Sequence, residues 1–354
     1  MNKIKTIQND LEINSALLIE SAPNRFYLTG FNSSAGSVLI TKNTSYFLID
    51  FRYFEKAKRV VNDLDVLLSV KALDEISNIL KEQNVTKLYI ENEHTSISKL
   101  NLLKAKLNVI NILTDNKFDK VLKELRSIKT EQELNLIIEA QKLTDKTFSY
   151  IINNIKEGRT EREVMLDMEF YMRSLGSEGV AFDFIVVSGK NSSLPHGVPT
   201  EKPIEIGDFV TMDFGAVVGG YRSDMTRTVA VGGISNKQLK VYDTVLKAQI
   251  AALSKIKAGE VCSNIDKIAR DIIYSSGYEG KFGHGLGHSV GIEIHEAPSF
   301  SPNCNQKLKS GMIMTVEPGI YLENEFGVRI EDMVMVTTDG ISNLTKSPKE
   351  LIIV

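Results

Sequence analysis

The sequence is 354 residues long, 42% hydrophobic and 25% charged, which suits a soluble chain with two separate cores. A formal net charge of -3 gives no special attraction to nucleic acid or anionic membrane, so partners of neither kind are expected. Two cysteines, Cys262 and Cys304, with no CxxC, fit a reducing compartment. With no h-region at the N-terminus and no apolar run of spanning length, a cytoplasmic, unanchored protein is expected.

Residues 1–117 alternate short β-type runs with helical patterns and read as an α/β domain. Strands are expected at 15–19, 26–31, 38–40, 46–49, 66–69, 88–90 and 109–113, and helices near 52–61, 73–82 and 97–107. Little here bears chemistry. Asp50 and Arg52 end a strand, Glu91, Glu93 and His94 begin a loop, and His94 reads as a surface histidine. This domain is expected to cap, shape or oligomerise the remainder. Residues 118–129 are charged and helix-like and form the expected linker.

Residues 130–354 read differently. Thr130 with Glu133 forms a capping-box pattern opening a long helix whose apolar face carries Leu134, Ile137, Ile138, Leu143 and Phe148. Thr160 with Glu163 opens a second helix, running to about Leu175, and Ser235 with Gln238 opens a third. Between the second helix and the next strand pair, FDFIVVSGKNSSLPHGVPT reads as a strand and then a polar loop. His196 lies there between Pro195 and Gly197, an odd place for a core histidine. Long helices interleaved with antiparallel hairpins imply an α+β plan.

The first hairpin spans residues 209–231, FVTMDFGAVVGGYRSDMTRTVAV, around a Gly219-Gly220 break. A two-residue turn at Val218-Gly219 sets Asp213 directly opposite Asp224. Opposed side chains on one face have Cβ atoms about 5 Å apart, so two anions there repel unless a cation lies between them. A second hairpin follows in MIMTVEPGIYLENEFGVRIEDMVMV, where a turn centred on Asn324 sets Glu317 opposite Glu331 unless Gly327 carries a bulge. Between the hairpins, GHGLGHSVGIEIHE holds His284, His288 and His295. Of five histidines, only His94 lies in the first half of the chain.

Each candidate also has a plain structural reading, such as a solvated strand aspartate, but several half-buried anions at facing positions would each cost several kcal/mol if unpaired. Four carboxylates and a histidine suit hard or borderline divalent ions. Their four charges would balance two such cations, and metal pairs about 3.5 to 4 Å apart activate water for hydrolysis. The glycines around His284 and His288 argue against the helical HExxH motif and suggest close backbone approach to a ligand. No GxSxG, P-loop or dinucleotide fingerprint is present.

At these residues the sequence resembles the metallopeptidases that include Xaa-Pro aminopeptidase (aminopeptidase P), Xaa-Pro dipeptidase (prolidase) and methionyl aminopeptidase. The matching pieces are LPHGVPT, MDFGAVVGGYRSDMTRT, HGLGHSVGIEIHEAP, TVEPGIY and GVRIEDMVMV, with RSIKTEQELNLIIEA opening the domain as in the proline-specific members. The resemblance implies a C-terminal pita-bread catalytic domain, creatinase/aminopeptidase-like, at 130–354, behind a smaller creatinase-type α/β domain.

It also implies that Asp213, Asp224, His288, Glu317 and Glu331 hold two metal ions, Asp224 and Glu331 bridging them, with manganese expected and cobalt or zinc as alternatives. His196, His284 and His295 would line the substrate site beside Arg329, which strand alternation sets on the carboxylate face. In the mechanism expected from this, Glu317 shuttles a proton, His295 stabilises the oxyanion, His284 contacts the proline side and His196 positions or releases product. The substrate would be a proline-containing peptide and the assembly a homodimer.

An N-terminal domain of about a third of the chain favours the proline-specific branch over methionyl aminopeptidase. Some dipeptidases of that branch carry, where this chain has Ser299, an arginine that meets the substrate's carboxylate. Its absence favours an Xaa-Pro aminopeptidase, with the dipeptidase as alternative if a cation such as Arg222 takes that role. A creatine-cleaving enzyme or a non-catalytic binding module of this fold would typically not retain all five ligands.

Overall fold

Runs such as SALLI and SVLIT are apolar on both faces, and they become strands covered on both sides. The computed structural model describes residues 2–354 and divides into two units after Arg126. None of the described helices is long and apolar enough to cross a membrane.

The first unit holds α1 (Lys3–Asp10), β1 (Ser15–Ile19), α2 (Ala22–Thr29), β2 (Ser37–Thr41), β3 (Ser45–Ile49), α3 (Phe51–Val60), β4 (Asp65–Leu68), α4 (Ala72–Glu82), β5 (Lys87–Ile90), α5 (Ile97–Lys106) and β6 (Asn111–Leu113). Its strands form one mixed sheet in the order β4-β3-β2-β1-β5-β6. Residues 26–31, expected as a strand, fall mostly in α2. There the Ser21 side chain accepts from the Asn24 N–H, Pro23 suits the first turn, and Gly30 closes the helix at φ +64°, so capping outweighs the aromatic content of FYL. Glu91 is buried and accepts from the N–H groups of Glu20 (2.7 Å) and Ser21 (2.8 Å), tying β5 to the start of α2. His94 is exposed. The helix-like stretch before residue 130 is α6 (Lys117–Ser127).

The second unit has two halves, each a pair of long helices on an antiparallel sheet. In the first, α7 (Glu131–Ile151) and α8 (Glu161–Ser174) both begin with a complete capping box, each cap worth about 1 kcal/mol. Ala140, Phe148, Val164 and Met168 pack from these helices onto β7 (Ile185–Ser188), β8 (Phe209–Phe214) and β11 (Met225–Ala230), through Val186, Val210, Met212 and Val229. The short strands β9 (Val217–Val218) and β10 (Tyr221–Arg222) cap the hairpin between β8 and β11.

In the other half, α9 (Asn236–Leu253) and α10 (Cys262–Ile273) cover β12 (Gly287–Ser289), β13 (Glu296–Phe300), β14 (Ile313–Val316), β17 (Asp332–Val336) and β18 (Ile341–Asn343). The two-stranded pair β15 (Gly319–Leu322) and β16 (Phe326–Arg329) lies between β14 and β17 in the chain. Its sheet order is β13-β12-β14-β17-β18.

Strand alternation explains the seam between the halves. In β8, Val210, Met212 and Phe214 join the core under α7 and α8, while Phe209 joins the other core; Thr211 and Asp213 follow Phe209 at two-residue spacing. Across that seam the Glu331 N–H donates to the Thr226 carbonyl (3.0 Å) and the Thr228 hydroxyl donates to the Arg329 carbonyl (3.0 Å).

Candidate active site

The register of the first hairpin differs from the expectation. Its turn is Gly219-Gly220, both at positive φ (56° and 75°), one residue later than expected, so Asp213 faces Thr226 rather than Asp224. A slip of two residues in partner preserves the face. Asp213 and Asp224 therefore still line one cavity, as diagonal rather than facing neighbours.

The second hairpin has the expected register. Ladders on both sides of the break, Gly319 with Arg329 and Val316 with Asp332, continue one register without a bulge at Gly327. Glu317 and Glu331 fall at the gap between those ladders, where the strands part.

All nine predicted site residues line a single cavity of about 930 Å³: His196, Asp213, Asp224, His284, His288, His295, Glu317, Arg329 and Glu331. The donor atoms of Asp224, His288 and Glu331 lie within 4.8 Å of one another. His288 Nε2 is 3.3 Å from Glu317 Oε1 and 3.6 Å from Asp224 Oδ2. The Thr226 hydroxyl donates to Glu331 (2.7 Å) and the Thr315 hydroxyl to Glu317 (3.1 Å).

Arg329 is buried and fully engaged. Its guanidinium donates to Asp213 (2.7 Å), to the Tyr321 hydroxyl (2.9 Å), to the Thr226 hydroxyl (3.0 Å) and to the Pro195 carbonyl (3.2 Å). It orients one carboxylate and supplies a single positive charge against four anions.

Burial, then the charges of Glu331 and Asp213, pushes Asp224 well above the usual carboxylate range. Glu331 is raised likewise by burial and by Glu317 and Asp213, and Asp213 is raised by burial despite Arg329. For Glu317 burial also acts upward, but the hydrogen bond and charge of His288 prevail and hold it at about 2. His288 is raised although burial opposes it, because Glu317 is its partner. Burial lowers His284 and His295, favouring neutral imidazoles. Asp213 Oδ1 is buried with no hydrogen-bond partner among the described residues. Crowded carboxylates, one unpartnered oxygen and a nearby imidazole make a donor set that divalent cations would satisfy.

The histidines differ in how they are held. His284 is hydrogen-bonded to Tyr321 (2.9 Å) and to its neighbouring carbonyl at Gly285 (2.8 Å), and Arg270 of α10 donates to the His284 carbonyl (2.8 Å). His295 packs edge-on against His288 with ring centres 4.4 Å apart. Beside it, Glu296 pairs with Lys129 at 3.1 Å, both side chains nearly inaccessible. Among the glycines of the motif, Gly285 and Gly287 lie close against neighbouring strands. A Cβ on Gly287 would lie 2.1 Å from the Thr315 carbonyl, so the close approach is to a neighbouring strand. Arg222, weighed as an alternative cation, donates to the carbonyls of Ile292 (2.8 Å) and Ala181 instead.

Sequence reasoning missed Thr226, Thr315, Tyr321, Lys129, Glu296 and Glu161. The two threonines follow a detectable rule, polar residues recurring at two-residue spacing in strands that are otherwise apolar. Little local marks the others: Lys129 meets Glu296, Tyr321 meets His284 and Glu161 meets Ser188 and Thr200 across 27 residues or more.

The profile of metallopeptidase family M24 matches residues 135–338, and that of the creatinase/prolidase N-terminal domain matches residues 2–128. The chain belongs to metallopeptidase family M24. Its C-terminal unit is the pita-bread domain of that family, and the enzyme class is metal-dependent exopeptidase. Among family relatives, an Xaa-Pro dipeptidase of Pyrococcus horikoshii is 39% identical, over 99% of this chain and 98% of its own. The structure of an Xaa-Pro dipeptidase from Bacillus anthracis superposes with a TM-score of 0.94 at 40% identity, covering 99% of this chain and 98% of that one. An X-Pro aminopeptidase from Thermotoga maritima gives 0.91 at 34% identity, covering 98% and 100%.

Proposed function

We propose that this M24 enzyme is an Xaa-Pro dipeptidase working with two divalent ions, manganese first among cobalt and zinc, held by Asp213, Asp224, His288, Glu317 and Glu331. The observation that carries the reading is the convergence of these five donors with three further histidines on one cavity. Bound there, the ions would acidify water and polarise the carbonyl before proline. Glu317, whose carboxylate lines the cavity, takes a proton from the attacking water on a carboxylate oxygen and passes it to the leaving proline nitrogen. His295, packed edge-on against His288, donates its N–H to the carbonyl oxygen as charge develops. His284, steadied by Tyr321, contacts the proline side, His196 positions product at the mouth, and Arg329 orients Asp213.

Dipeptides are put first because the relatives named as dipeptidases are 39% and 40% identical, against 34% for the aminopeptidase. The aminopeptidase reading keeps one observation in its favour: Ser299 lines the cavity where an arginine could meet a free carboxylate. Steady-state rates on Xaa-Pro and Xaa-Pro-Xaa peptides, measured after chelation and re-addition of manganese, cobalt or zinc, decide between them. Turnover confined to the dipeptides supports the first reading, and faster tripeptide cleavage replaces it with the second. A homodimer in the cytoplasm completes the proposal, and sedimentation of the purified chain tests the dimer.

A further inference from the structure

Glu161 has no part in the chemistry above, yet it is the most heavily bonded carboxylate near the cavity. It opens α8 and is fully buried. Its two oxygens accept six hydrogen bonds: from the Ser188 N–H (2.6 Å) and hydroxyl (3.1 Å), from the Asn191 amide at both oxygens (3.0 and 3.1 Å), and from the Thr200 N–H (3.0 Å) and hydroxyl (2.6 Å). Every partner is a donor, which suits a carboxylate and not an amide. Ser188 and Thr200 are also the two ends of the span that carries His196, so one side chain closes that loop at its base.

Within the span His196 depends on the backbone alone. It is exposed, and its ring makes no hydrogen bond among the described residues. Elsewhere the span is held to the cavity wall by the Gly327 N–H donating to the Ser192 hydroxyl (2.9 Å) and by Arg329 donating to the Pro195 carbonyl (3.2 Å), while at its base the Arg162 N–H donates to the Thr200 carbonyl (3.1 Å), the Lys202 ammonium to the Ser188 hydroxyl (3.1 Å) and the Asn191 amide to the Thr200 hydroxyl (3.3 Å). His284, by contrast, is fixed through its own ring.

We propose that Glu161 is a positioning residue that sets residues 188–200 so that the His196 ring meets the substrate, a role that rests on the peptidase reading given above. Substrate contact by a ring with no bond of its own demands a rigid base. A displacement of about 1 Å at a positioning group can cost up to roughly a hundredfold in rate.

The test uses the full chain, loaded with manganese for kinetics on an Ala-Pro substrate and with diamagnetic zinc for the imidazole NMR signals of the five histidines. In Glu161→Gln the His196 signals shift and broaden while those of His94 stay in place, and kcat/KM falls by roughly ten- to a hundredfold. In a His196→Ala background the same substitution changes kcat/KM by less than about twofold, because the route through His196 is already gone. Equal losses in both backgrounds, or unmoved His196 signals, overturn the proposal. If Glu161→Gln does not fold, Asn191→Ala and Thr200→Val remove donors one at a time. Each is then expected to move the His196 signals and lower kcat/KM only when His196 is present, and an unchanged spectrum in both overturns the proposal. Should the parent enzyme fail to cleave Ala-Pro, the peptidase reading fails on its own, while the spectra still show whether Glu161 places His196.

Discussion

Glu331 and Asp332 are neighbours in the chain, both almost wholly buried, yet they meet opposite electrostatic fates. Asp332 accepts from Arg227 (2.7 Å), from Asn343 (2.8 Å) and from the Lys349 ammonium. Burial alone would raise it, but the two cations hold it below the usual range. Glu331 has the Thr226 hydroxyl, and its charged neighbours Glu317 and Asp213 add to burial in pushing it up. One carboxylate is answered by protein cations and belongs to the scaffold. The other has no ion-pair partner among the described residues, as the proposed metal site requires, and strand alternation by one residue separates the two environments.

The sharpest way to break this contrast is to neutralise each member. Glu331→Gln is expected to cut kcat/KM on an Xaa-Pro substrate by roughly a thousandfold or more, equivalent to about 4 kcal/mol of barrier. The same change should leave the melting temperature of chelated protein unchanged or higher, because a repelled anion is gone. Asp332→Ala should do the reverse to the fold, costing about 3–5 kcal/mol in a denaturant titration by leaving Arg227 buried without its carboxylate. If Asp332→Ala melts like the parent, the scaffold half of the comparison is wrong.

Lys129→Met should cost about 1–3 kcal/mol, since Glu296 loses a buried donor while keeping the N–H groups of Ile292 and Glu293. A fall in kcat alongside it would show that the pair steadies the neighbouring His295.

The smallest effect is a pH dependence of the chelated protein. Asp224 and Glu331 have folded pKa values above their unfolded ones, so their stabilising contribution is full below about 4 and is lost as pH rises through the raised values. Glu317, held at about 2, acts in the opposite window: its contribution is present above the unfolded value near 4 and lost as pH falls toward 2. Melting temperature should therefore decline from weakly acidic toward neutral pH in chelator, and that decline should flatten in Asp224→Asn. Saturating manganese should remove the decline too, since binding displaces the protons.

Much of the site was legible because strand period and motif spacing are local. Glu317 and Glu331 could be paired from a turn at Asn324, the left-handed residue that closes that hairpin at φ +58°. Asp213 and Asp224 were brought to one cavity by a turn assignment one residue off, and the assignment survived because the slip kept the face. Three helix starts could be read from Thr130, Thr160 and Ser235, whose capping boxes are complete within four residues. What was not legible depends on distant partners. Lys129 reaches Glu296, Arg227 reaches Asp332 and Arg329 reaches Asp213 across more than a hundred residues each. Residues 26–31 misled because the cap at Ser21 lies outside that run, while Gly30 within it closes a helix at positive φ.

The central claim is that the uncompensated carboxylates are a cation site, and calorimetric titration of chelated protein with manganese tests it most directly. The account predicts two ions per chain, bound with proton release that shrinks as pH rises, and a reduced stoichiometry or affinity in Asp224→Asn. Full peptidase activity in protein that binds no divalent ion, or titration curves identical in the parent and Asp224→Asn, would contradict it.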